Sequence, residues 1–302
     1  MIRENSIKLS LSYVVASKVK DYSQLMKFNL TFMVVFSSVV GYLLVPGVEF
    51  SLIKIVELFA GGLLVSGSAN TINQLIEVET DKLMKRTAVR PLPSGRVSEA
   101  EARVLAFVTA ISGVLIMAWA FNWLSAGLSL LSLVMYAFIY TPWKKWNSLA
   151  VLVGAFPGAM PLLIGWAAGA DELGAGGWSL YALQFVWQFP HFWAIAWIGH
   201  SDYTKAGFKL LPNGSEPNRM IAIQAVMYTF LLIPLGFLPY LFRVSGGISA
   251  VIVLLATFFF LYRAVNLYRK CDAPAARKLM FGSYIYLTIM QLALLADKVH
   301  NI

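Results

Sequence analysis

The sequence predicts an all-α fold, a polytopic membrane protein of nine transmembrane helices. Three observations carry this. The 302 residues are 59% apolar and 13% charged, whereas about a quarter of a soluble domain is charged. Apolar windows of membrane-spanning length recur along the whole chain. The cations sit in the loops between those windows, so the net charge of +9 is a positive-inside pattern and not a nucleic-acid footprint.

Taken in order, residues 1–27 predict a cytoplasmic N-terminal segment. Residues 7–20 mix apolar and polar side chains with Lys8, Lys18 and Lys20, which suits an amphipathic helix lying on the membrane. They lack the continuous apolar core and A-x-A site of a cleaved signal. Residues 28–302 predict a single transmembrane domain. The first span, 30–45, stops at Pro46-Gly47. The second, 52–76, contains GGLLVSGSAN, whose small residues let a neighbouring helix come close. The third and fourth, 103–119 and 128–140, are separated by a turn at Asn122-Trp123. The fifth, 149–168, is interrupted by Pro157-Gly158 and Pro161. The remaining four are 180–198, 221–241, 248–261 and 280–296. The lone cysteine, Cys271, excludes an intramolecular disulfide or a multi-cysteine metal site.

Charge orients the spans. Apart from Lys54, Arg243 and Lys298, every Lys and Arg falls in the N-terminal tail, the even-to-odd loops or their flanks. That puts the N-terminus and the loops at 77–102, 141–147, 199–219 and 262–278 in the cytoplasm, and the C-terminus outside.

The residues able to do chemistry gather at that cytoplasmic mouth. Asn73, Glu77 and Asp81 are spaced four apart, so a helix presents them on one face, with Asn70 on the same stripe. Two carboxylates one turn apart suit a hard divalent cation shared with phosphate oxygens; the same groups would also serve simply to solvate a helix end. Arg86 and Arg90 follow, one turn apart, able to fork onto phosphate, before Pro91 and Pro93 stop the helix. Tyr140-Thr141-Pro142 with Lys144 and Lys145 forms a second basic cluster, and Lys27 is a weaker one of the same kind; positive-inside topology alone would also place these cations. In span six, His191 lies within Trp187-Gln188-Phe189-Pro190-His191-Phe192-Trp193, about 16 Å deeper than Asp202 if the helix is continuous. A histidine at that depth is a functional candidate, for a flat conjugated substrate or its iron, or else a hydrogen-bonded link at a proline kink. Asp202-Tyr203 closes the span.

These residues resemble the UbiA superfamily of intramembrane prenyltransferases. The marker is N-x-x-x-[D/E]-x-x-x-D followed by M-x-R-T-x-x-R-P-L-P-S-G-R, here Asn73, Glu77, Asp81, Met84, Arg86-Thr87 and Arg90 through Arg96. Within it the sequence is most similar to the haem farnesyltransferase branch, through YTP-x-K (140–144), the G-A-x-P-G-A-x-P-L-L-x-G-W run (154–166), W-Q-x-P-H-F-W (187–193) and DY-x-x-A-G-x-x-x-LP (202–212). The resemblance implies a nine-helix bundle around a central cavity open to the cytoplasmic mouth and to lipid. It implies Mg²⁺-dependent transfer of a farnesyl group from farnesyl diphosphate to the 2-vinyl group of haem B, giving haem O, in a bacterial inner membrane. Asn73, Glu77 and Asp81 would hold metal, with Asp202 a further candidate. Arg86, Arg90 and Lys144 would hold diphosphate. Lys27, Tyr140, Lys145, His191, Asp202 and Tyr203 would contact substrates. A haem O hydroxylase (haem A synthase) or a terminal-oxidase assembly factor is the implied protein partner. Glu77 stands where many relatives have Asp, and only Asp202 remains of the second acidic motif seen in relatives acting on other aromatics. Two other readings share part of the pattern: a prenyltransferase acting on a quinone precursor or chlorophyllide, and a transporter with intramembrane acids.

Overall fold

The computed structural model describes residues 11–212 and 216–299; residues 7–10 of the expected surface helix and His300 lie outside these. Ordered by chain, the helices are α1 (Leu11–Leu25), α2 (Phe28–Leu43), α3 (Leu52–Ile76), α4 (Val78–Leu83), α5 (Glu99–Ala120) and α6 (Trp123–Val134). A π-helical segment, Met135–Tyr140, leads into the single turn α7 (Thr141–Trp143). Then come α8 (Ala150–Ala170), α9 (Ala175–Ile198), α10 (His200–Lys205), α11 (Arg219–Gly236), α12 (Leu238–Leu241), α13 (Gly247–Lys270) and α14 (Ala273–Ala296). The sole β feature among the described residues is a bridge between Ser245 and Lys298. Side-chain caps start several helices: Ser51, Ser98, Asn122, Asn218 and Asp272 each accept from the backbone N–H three residues on, satisfying donors the helix cannot.

Seven helices among the described residues are long and apolar enough to cross a membrane, or eight if α1 and α2, bent by 56°, count as one broken span. Nine spans are therefore not returned by length and composition alone. The two expected spans that fall short have evident reasons. α2 has 16 residues and rises about 24 Å, less than the roughly 30 Å of hydrocarbon. α9 carries Gln184, Gln188, Pro190 and His191 in its middle. Two helices run well past the apolar windows: α13 continues to Arg269 and Lys270, and α14 begins before Arg277 and Lys278.

The most buried of the spanning helices is α8, which packs on α2, α6 and α9. Its contact with α2 is backbone to backbone. A Cβ on Gly41 would run into the carbonyl of Leu162, and one on Gly165 into that of Ser38; only glycine permits this approach. Pro161 cannot donate to the carbonyl four residues back, and that carbonyl, of Pro157, accepts from Ser132 Oγ at 3.3 Å. Gln188 Nε2 and Gln184 Nε2 reach from α9 to the α8 carbonyls of Ala155 and Gly158, both at 3.1 Å. These bonds replace the water that a bilayer cannot supply. Phe107, Trp119, Trp123, Phe230 and Leu255 are exposed on the outer faces, as a lipid-facing surface requires.

α1 is tied down by polar contacts. Lys18 and Tyr22 both bond Glu101, at 2.8 and 2.6 Å, and Arg96 bonds Asp21 at 2.9 Å. Val14, Val15 and Val19 remain exposed. α1 thus has an exposed apolar side and a polar side pinned to the start of α5 and to the loop at 84–97.

Candidate active site

The ladder residues meet at the end of α3. The sequence predicts one continuous helix through Asp81; instead α3 ends at Ile76 and α4 begins at Val78, with Glu77 as the junction. The spacing survives the break. Glu77 N bonds Asn73 O at 3.1 Å and Asp81 N bonds Glu77 O at 2.7 Å, so the four-residue register still stacks the side chains. Asn73, Glu77 and Asp81 are all buried and line one pocket with Lys27, Met84, Arg86, Thr87, Arg90, Tyr136, Tyr140, Lys144, Tyr203 and Phe208.

Inside it, three oxygens have three cations. Lys27 Nζ donates to Asn73 Oδ1 at 3.1 Å, Lys144 Nζ lies 2.7 Å from Glu77 Oε1, and Arg90 Nη1 donates to Asp81 Oδ2 at 2.6 Å. The Lys144–Glu77 contact is an ion pair whose angles fail those of a hydrogen bond, and Glu77 Oε1 has no hydrogen-bond partner. Asp81 Oδ1 is likewise buried without one. Asn73 Nδ2 donates to Thr141 Oγ1 at 3.1 Å, and Thr87 Oγ1 bonds the Asp81 carbonyl at 2.8 Å.

The local backbone explains how distant residues arrive here. Lys27 has φ 48°, the left-handed region, rare for a residue with a Cβ. This bend between α1 and α2 turns its side chain into the pocket. Burial, and behind it the charges of Arg90 and Lys144, lowers its pKa from 10.5 to about 7. The π-helical winding before α7 delivers Tyr136, Tyr140 and Lys144 to one wall; π segments are frequent at such sites. Lys144 O accepts from Lys209 N at 2.7 Å, and its ammonium faces the rings of Tyr140 and Phe208 at 4.8 and 5.6 Å, a favourable cation–π position. Burial raises the Asp81 pKa, while Arg90 pulls it the other way.

Below this polar pocket an apolar cavity continues between α2, α3, α5, α6 and α8. The two share Leu30 and Tyr136 as wall. The cavity runs from Asn70 down to Leu58 and Met117, both fully buried. Asn70 and Leu58 are twelve residues apart on α3, a drop of about 18 Å.

A charged head with an apolar shaft beneath it accommodates an amphiphile with an anionic end. A family profile described as the UbiA prenyltransferase family matches residues 34–290. The chain belongs to the UbiA prenyltransferase family. A relative from Cytophaga hutchinsonii named "Protoheme IX farnesyltransferase" is 46% identical, over 95% of this chain and all of its own length. Two solved UbiA-fold structures agree in fold. One, titled for digeranylgeranylglyceryl phosphate synthase, has a TM-score of 0.77 at 19% identity and covers 93% of this chain and 98% of its own. The other, a UbiA homolog from Archaeoglobus fulgidus bound to GPP and Mg²⁺, has 0.65 at 16% identity, covering 91% of this chain and 99% of its own.

Not every residue expected from the UbiA pattern arrives. Arg86 lines the pocket mouth, is exposed, and has neither hydrogen bond nor ion pair among the described residues. Tyr140 and Tyr203 line the pocket; Lys145 is exposed and does not. Asp202 does not line it either, and no group of three acids, histidines or cysteines among the described residues is placed to hold a metal. The short helix α10 presents Tyr203, not its neighbour, to the ladder. His191 lines neither cavity. It is buried in the α9–α14 seam, its Nδ1 2.7 Å from Ser283 Oγ, its ring stacked on Trp187 at 5.0 Å and edge-on to Tyr284 at 4.9 Å. The contact links α9 to α14 one residue after Pro190.

The donor set fits a divalent cation. Asp81 Oδ1 is buried with no partner and Glu77 Oε1 has only its ion pair with Lys144, and hard cations take one or two carboxylates with phosphate oxygens and water. Thr87, Met84 and Phe208 also line this pocket, and Thr141 holds Asn73 from behind. Thr87 and Thr141 belong to the R-T and Y-T-P motifs, which was the available signal; Met84 and Phe208 pack together across it with Ala206, and nothing in their spacing announces that.

Proposed function

We propose that the protein transfers the farnesyl group of farnesyl diphosphate to the 2-vinyl group of haem B, producing haem O and diphosphate. The observation that carries this is the 46% identity to a protoheme IX farnesyltransferase over 95% of the chain. The stacked polar pocket and apolar cavity are the support from geometry. Glu77 and Asp81, beside Asn73, would hold Mg²⁺, the ion bound with a prenyl diphosphate in the Archaeoglobus homolog. Bound there, it draws off charge as the diphosphate leaves.

The chain's own residues do the rest. Arg86, Arg90, Lys144 and Lys27 bind the diphosphate and neutralise the charge that grows on it. The prenyl chain lies in the cavity walled by α2, α3, α5, α6 and α8, which keeps water from the allylic carbon. The C–O bond breaks and its electron pair leaves with diphosphate. The vinyl π pair forms the new C–C bond. Water adds to the resulting cation and loses a proton, giving the hydroxyethylfarnesyl group. Tyr136 lines both the pocket and the cavity and stabilises cationic carbon through its ring face.

Nine crossings, with the N-terminus cytoplasmic and the C-terminus outside, belong to the same proposal. It is supported by α2 packing on α3 and α8, and α9 on α8, α11 and α14, as interior spans would. An enzyme that consumes haem O in the same membrane is the partner this activity needs.

The test is a product assay. Purified protein in detergent receives haem B, farnesyl diphosphate and Mg²⁺, with and without EDTA, and haems are separated and weighed by mass spectrometry. A haem O peak that EDTA removes is expected. Diphosphate release with an aromatic or quinone precursor but none with haem would overturn the acceptor assignment.

A further inference from the structure

Every ladder side chain in the pocket is already paired with a cation. Each ladder side chain presents one oxygen to one cation: Asn73 to Lys27, Glu77 to Lys144, Asp81 to Arg90. A divalent ion arriving alone meets carboxylates with ammonium and guanidinium groups already against them. A diphosphate arriving alone meets cations already spoken for, except Arg86 at the rim.

We propose that Lys144 and Arg90 are exchangeable counter-ions, holding Glu77 and Asp81 when the site is empty and passing to the diphosphate as a divalent cation takes their place, so that metal and diphosphate enter together. This rests on the assignment of the pocket to a metal diphosphate. Three features of Lys144 suit it to the exchange. Its contact with Glu77 is a 2.7 Å ion pair to one carboxylate oxygen, a place that a divalent cation can take over. Its main chain is anchored by Lys209 N, so only the side chain need move. The rings of Tyr140 and Phe208 flank its ammonium and keep stabilising it after Glu77 is released. The free Asp81 Oδ1 gives the incoming ion a first ligand before either pair opens. Exposed and unpaired, Arg86 gives the diphosphate its first contact.

The consequence has opposite signs for the two ligands. Removing Lys144 frees Glu77 for metal and takes a cation from the diphosphate. The experiment titrates Mn²⁺ alone, then inorganic pyrophosphate in the presence of Mn²⁺, into full-length protein in detergent by calorimetry and by the Mn²⁺ EPR signal. Lys144→Met is compared with wild type and with Lys144→Arg; Lys144→Gln, which keeps a polar end in the buried position, stands in if Lys144→Met does not elute as a folded monodisperse species. The expected result is Mn²⁺ binding alone tightened at least tenfold in Lys144→Met, with pyrophosphate weakened at least tenfold, and both returned toward wild type in Lys144→Arg. Unchanged or weaker Mn²⁺ binding in Lys144→Met overturns the exchange while leaving the metal-diphosphate assignment standing. If neither wild type nor variant binds Mn²⁺ with pyrophosphate, that assignment falls and the exchange with it.

Discussion

Asp81 divides its two carboxylate oxygens: Oδ2 accepts a 2.6 Å hydrogen bond from Arg90 Nη1, and Oδ1 is buried with no partner. A fully buried carboxylate held by one guanidinium is stable only as a pair, since taking one partner away strands a charge in the interior. Arg90→Met is therefore expected to lower stability by about 3 kcal/mol, seen as a drop in melting temperature in detergent. Adding Asp81→Asn should recover most of it, because the stranded charge is gone. Turnover should stay lost in the double variant; recovery of activity would show that neither residue serves the reaction.

Glu77→Gln keeps the shape of the α3–α4 junction and removes one charge. Turnover should fall at least about a hundredfold, the scale seen when one group stabilising developing charge is removed. The melting profile should keep a single cooperative transition. Near-normal turnover would remove Glu77 from the metal site.

On the proposed function, Lys27 is expected to carry the pH dependence of diphosphate capture. Its pKa is lowered to about 7, so it is charged below that value and neutral above it. kcat/KM for the prenyl diphosphate should fall as pH rises through about 7, since this ratio reports the free enzyme. The effect on stability has the opposite sense. Between about 7 and the unfolded value of 10.5 the unfolded chain binds the extra proton, so this group's contribution to stability improves as pH rises. Lys27→Arg stays charged throughout and should flatten the kcat/KM profile over pH 6–9; an identical slope in both proteins would assign the titration elsewhere.

If the prenyl chain lies in the cavity as proposed, cavity depth sets its length. The floor is made by Leu58 and Met117, about 18 Å below Asn70. Met117→Ala should let a longer, twenty-carbon diphosphate compete with farnesyl diphosphate, raising the ratio of their kcat/KM values at least tenfold. It should also cost about 2–5 kcal/mol of stability as a buried large-to-small change. A ratio unmoved in a folded Met117→Ala variant would put the chain elsewhere.

His191 and Ser283 join α9 to α14. If that link is the whole role of the histidine, His191→Phe and Ser283→Ala should lower the melting temperature to similar extents, with non-additive effects in the double variant. KM for haem should then move little. A rise in KM for haem in His191→Phe alone, at unchanged stability, would restore a substrate contact.

Much of this was legible in the sequence because it is local. The four-residue spacing of Asn73, Glu77 and Asp81 placed them on one face even though a break at Glu77 interrupts the helix, since the hydrogen-bond register crosses it. Arg90 and Lys144 stood out through the motifs they belong to, since their charge alone also fits positive-inside topology. Which groups Asp202 and His191 face was not legible in the sequence, for a common reason. Each lies on a helix whose rotation about its own axis is decided by its neighbours: α10 turns Tyr203 to the ladder, and α9 turns His191 to Ser283.

The sequence by itself determined the all-helical membrane class and the family, because apolar run length and motif spacing are properties of the chain read locally. The tertiary structure decided which side chains meet. That Lys27 from a left-handed bend, Lys144 after a π-helical turn and Arg90 from a loop each take one oxygen of the ladder depends on helix packing through Gly41 and Gly165 and on backbone winding. These contacts join residues far apart in the chain, and their free energies compete only once the bundle has formed.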